Sequence, residues 1–284
     1  MKALEKFEKY IEGVFFPSVE DLDEIIGCRI VEGGDVGERF IQDGSQGEQE
    51  RKHVRTVELQ AFTRISKTEI IKQENLNAIM KEAKQNTLID TQADDNDIDV
   101  GWILKFLDLA GNISNEMLQK VWGKILSQKI KNSSSISLHS LMVIANLSLN
   151  AAETFKKISK YVIRINGENV LLNDSEFNKK YGIDYADILS LDEYGLINSS
   201  GMISMKSSLS EVANWSVQYG DNVAWGCSAK RTELRLQVFT LREAGNDLMS
   251  IVDVESDEKY FEDVRDYITK KNSSISFAAI TKSL

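Results

Sequence analysis

Between about Glu48 and Leu88 the chain carries apolar residues at helical intervals with no breaker. Val54, Val57, Ala61 and Ile65 follow spacings of 3, 4 and 4, and Leu76, Ile79, Met80 and Ala83 resume the stripe after a polar gap around Lys72. This periodicity predicts one long helix, reaching roughly 57 Å at ~1.5 Å per residue. A narrow apolar stripe of that length has to be covered. Two covers are open: the rest of this chain, or a second copy paired as a coiled coil through Val54, Val57, Ala61 and Ile65. Upstream, Leu4, Phe7, Tyr10 and Ile11 give residues 1–12 the pattern of a short amphipathic helix, and the glycine-rich, acidic stretch 27–47 reads as a loop.

Downstream, the acidic run 90–100 reads as a hinge that caps the next helix. Trp102, Ile103, Phe106, Leu107 and Ala110 then form one buried face, and Leu118, Val121, Trp122, Ile125 and Leu126 the next, with Ser114 placed to cap that second helix. Lys120, Lys124 and Lys131 fall on the opposite face, as a solvated stripe or as contacts for a phosphate backbone or an acidic partner. Residues 132–137 are a polar turn. Two further helices follow, through Leu138–Ala145 and, capped by Ser148 or Asn150, through Ala151–Val162.

The last third changes pattern. Val170–Leu172 reads as a strand, Ser175–Tyr181 and the segment after Asp184 as two helices, Gly201–Met205 and Leu234–Phe239 as strands, and the segment after Thr240 as a helix capped by Thr240. That order predicts a winged variant of the helix-turn-helix. An insertion from Ser207 to Glu233 sits at the wing, with Trp215 and Trp225 able to fold it back, and Tyr260, Phe261, Val264 and Tyr267 mark a final packed helix. The expected fold is therefore mainly α with a small β hairpin. Its expected parts are a helical N-terminal region with a long helix (1–92), a compact helical domain (93–165) and a winged-helix-like domain (166–284).

Composition narrows the function classes. The chain has 284 residues, one proline, two cysteines, two histidines and a net charge of −10. The cysteines, Cys28 and Cys227, lack a C-x-x-C partner, and with His53 and His139 they build no zinc-ligand spacing, so no metal or cofactor is expected. No apolar run is long enough to span a membrane, and the N-terminus lacks the apolar core of a signal peptide, which together predict a cytoplasmic protein. Charge is uneven: residues 1–50 carry a net −8, 51–89 a net +4, 90–100 a net −5, 101–165 a net +6 and 166–284 a net −7. The acidic run fails the calcium-loop pattern, because neither register that starts at Asp94 or Asp90 places glycine sixth and glutamate twelfth.

The segment 115–158 carries Glu116, Leu118, Gln119, Trp122, Ile125 and Leu126, then a serine-rich turn, then Leu138, Leu141, Leu147, Ser148, Ala152 and Phe155. With the later pieces ILSLDEYGLI and FTLREAGNDLMSIV, this pattern resembles uncharacterised bacterial families of unknown function. Its layout is similar to that of the abortive-infection alpha proteins linked to bacteriophage defence. The resemblance covers about residues 95–270 and departs from the family pattern in having no proline in the serine-rich turn. It implies a helical region ahead of a winged-helix-like half, and antiviral defence as a context.

No nucleophile elbow, zinc-protease motif or paired-histidine arrangement is present. The carboxylates at Asp94, Asp95, Asp97 and Asp99 lack the apolar walls that would move their pKa values, and Cys227 has Lys230 and Arg231 nearby but no histidine partner in sequence. No catalytic residue is assigned. A helix-turn-helix reads DNA with its second helix, yet that helix carries Asp184, Asp187, Asp192 and Glu193 and no lysine or arginine. Phosphates repel such a surface. Contacts with DNA or an acidic partner would fall to Lys230, Arg231 and Arg235 at the wing. The leading expectation is a non-enzymatic protein-interaction module or self-associating protein. The alternative is a DNA-binding regulator or DNA-sensing defence component.

Overall fold

The computed structural model describes residues 48–88, 98–199, 204–209, 215–228, 232–277 and 281–282. The expected helix at 1–12, the loop at 27–47, most of the acidic hinge, and Lys230 and Arg231 lie outside these residues. The chain divides into two compact units that meet at Ser133 and Ser134, inside the serine-rich turn.

The first unit is built on α1 (Glu48–Leu88), α2 (Val100–Ala110) and α3 (Glu116–Lys131). The hinge caps α2 as its composition suggests: Asp99 accepts a hydrogen bond from the Trp102 N–H at 2.9 Å. Asn115, not Ser114, caps α3, accepting from the N–H groups of Met117 and Leu118. The packing is close. A Cβ added to Gly123 of α3 would lie 2.5 Å from the Glu82 Cβ of α1, so only glycine permits this approach. The core is apolar and aromatic, with Trp102 stacked on Phe106 and Phe106 against Trp122, at centroid distances of 5.2 and 5.3 Å. One polar network is buried in it. Asn75 of α1 donates to the Gly111 carbonyl (2.8 Å) and to Ser114 Oγ (3.1 Å), while Gln119 donates to Asn75 Oδ1 (3.1 Å) and to the Ile113 carbonyl (2.9 Å). Satisfied networks of this kind fix the register of helices that apolar contacts alone would let slide.

The second unit starts with α4 (Leu138–Ala145) and α5 (Leu149–Ser159), the latter capped by Ser148 as expected. There follow β1 (Ile163–Ile165), β2 (Glu168–Leu172), α6 (Ser175–Lys180), α7 (Tyr185–Glu193), β3 (Ile197–Asn198), β4 (Ser204–Leu209), β5 (Trp215–Tyr219), β6 (Asn222–Ser228), β7 (Thr232–Leu241), α8 (Glu243–Met249), α9 (Glu258–Lys271), β8 (Ile275–Phe277) and β9 (Thr281–Lys282). All nine strands join one antiparallel sheet, in the order β3-β7-β2-β1-β5-β6-β8, with β4 on β7 and β9 on β6.

This overturns the expected fold class. The protein is α+β, and its C-terminal half is a broad antiparallel sheet rather than a winged-helix domain with a small hairpin. The stretch read as a wing insertion supplies β5 and β6, which carry the sheet onward from β1. Two tight turns close the hairpins β1–β2 and β5–β6. Asn166 and Gly167, at φ of 51° and 91°, form a two-residue loop with both central residues left-handed, the geometry that suits right-twisted strands. Gly220, at φ 56°, opens the two-residue loop between β5 and β6, with only its first residue left-handed. The helix after β7 is also shifted: Thr240 pairs within the sheet, and the helix starts after Arg242.

Alternation along the strands sends Ile163, Ile165, Val170, Leu172, Val217, Leu234, Leu236 and Val238 to one face, where α9 packs Tyr260, Phe261, Val264 and Ile268 against them. The Tyr260 hydroxyl, fully enclosed, donates to the Tyr161 carbonyl at 2.6 Å. Two carboxylates on this side hold the helices in place. Asp263 of α9 accepts from Lys180 and the Tyr181 hydroxyl, which lowers its pKa. Asp174 caps α6 through the Phe177 N–H and accepts from the Tyr267 hydroxyl, and is lowered too.

Candidate functional site

At about 100° per residue, positions 57, 61, 65, 68, 72, 75, 76, 79 and 83 of α1 share one face. Its second half is covered. Ile79 and Ala83 are fully buried, Asn75 is tied into the polar network, and Lys72 packs its Cβ toward Gly111. The first half of the same face is bare. Val57 is 50% exposed and Ile65 58%, with Ala61 half-buried between them. Val54 lies one step further along, in the helix. The exposure is wider than the predicted stripe: Leu59, Phe62, Ile70 and Ile71 are each more than half exposed on other sides of the helix. Periodicity singled out one face and missed these four; their signal is simply six large apolar residues within fifteen positions of an otherwise polar segment. Large apolar side chains exposed together mark an interaction site where they form a contiguous patch.

The basic candidates differ in exposure and in the unit that carries them. Lys120 is exposed on α3, whereas Lys124 and Lys131 are half-buried, so the predicted stripe is only partly solvated. Lys129, which was not singled out, is buried with its ammonium 5.0 Å from the centre of the Trp102 ring. Arg235 is exposed on β7, in the second unit.

The acidic helix is α7. Asp187 pairs with Lys157 at 2.7 Å, and Asp192 with Arg242 at 2.8 Å. Asp192 also accepts from the Ser199 hydroxyl and N–H, and with Arg242 these bonds lower its pKa. Its exposed side shows Asp184, Glu193, Tyr185 and Leu189. Exposed carboxylates of this kind repel a phosphate backbone. Chemistry is sparse. Cys227 is a half-buried free thiol on β6, and among the described residues no group of histidine, cysteine, aspartate and glutamate could hold a metal ion. Among them, too, no helix is long and apolar enough to cross a membrane.

Residues 60–265 match the model of a family described as protein of unknown function (DUF2806). The chain belongs to the DUF2806 family. No curated protein and no solved structure matches it. The DUF2806 match opens at Gln60, inside the bare stretch of α1. It takes in Ala61, Phe62 and Ile65 and leaves out Val54 and Val57, then runs through both units into α9.

Proposed function

We propose that this DUF2806 protein is a non-enzymatic protein-interaction module whose docking element is the first half of α1. One observation carries the reading: a single helix face is buried from Asn75 to Ala83 and bare from Val57 to Ile65. Helices draw most of their stability in water from packing an apolar face, so an uncovered stretch of this length gains by finding a partner. The acidic, partly apolar exposed side of α7 supports protein over DNA as the ligand class. Bacteriophage defence in a bacterial cytoplasm is proposed as the setting on the sequence resemblance of residues 115–158 alone. The test is a photo-crosslinking residue at Phe62, activated in cells. The expected result is an adduct of discrete mass that disappears when Ile65→Asp is added. The same crosslinker at Glu74, exposed beside the covered half, is expected to give none. No discrete adduct at Phe62 removes the reading.

A further inference from the structure

We draw no further inference here: the strongest candidate, the exposed apolar first half of α1 from Val57 to Ile71, belongs to the docking element already described, and nothing in the structure shows what covers it.

Discussion

The two halves of α1 share a helix, a face and a pattern, and differ in one respect: among the described residues, it is the second half that packs against other helices. From Asn75 to Ala83 the face meets Gly111, Gln119 and Gly123, and Ile79 and Ala83 vanish from the surface. From Val57 to Ile65 equally apolar groups stand in solvent. Apolar spacing thus shows which side of a helix wants cover, whereas the supply of cover is decided elsewhere in the chain, by a glycine that lets another helix come close.

Substitutions should separate the halves. Ile79→Ala, in the covered half, is expected to cost about 2–5 kcal/mol of unfolding free energy, from lost burial and a cavity. Ile65→Ala, measured in dilute protein, should stay within about 0.5 kcal/mol. Denaturant titration of both checks this, and equal costs would erase the contrast. Gly123→Ala forces a Cβ to within 2.5 Å of the Glu82 Cβ. It should cost about 1–3 kcal/mol by overpacking and raise hydrogen exchange in the second half of α1 while leaving residues 56–71 unchanged. Asn75→Ala strands Gln119 and the Gly111 carbonyl in a dry interior, at about 1–3 kcal/mol; Gln60→Ala, in the bare half, should cost nothing measurable by the same titration.

The smallest effect concerns pH. Asp174, Asp192 and Asp263, all in the second unit, have folded pKa values below their unfolded value of about 3.9. Their contribution is complete above that value and is lost as pH falls through the lowered folded values. Acid titration should therefore loosen the second unit below about pH 4, and Asp263→Asn should flatten part of that loss. The contrast along α1, being apolar, should persist across the same range.

Much of the helical framework was legible because helices write their period into ten or more residues. The long helix and the faces of Trp102 and Trp122 follow from spacing, whereas the sequence leaves the next cap open between Ser148 and Asn150 and the structure has Ser148. The sheet was not, because its strands are short or polar. Ile163–Ile165 offers two apolar residues, too few to show a period, and β6 breaks its alternation with Gly226 and Ser228. The turns were the readable signal: Asn166-Gly167 is a strong hairpin dipeptide, and Gly220-Asp221 sits between two alternating runs. Only the second lies within the stretch Ser207–Glu233, where it marks the hairpin of β5 and β6. The candidate surface was half legible. Val57, Ala61 and Ile65 were marked by periodicity, but which half of the stripe stays bare depends on Gly111, Gln119 and Gly123, far along the chain.

Photo-crosslinking from Phe62, compared with and without Ile65→Asp, tests the central claim most directly. A discrete adduct in the first and none in a variant of unchanged helix content are the predicted results. Equal yields in both, or no adduct in either, would contradict the claim that the first half of α1 is a docking face.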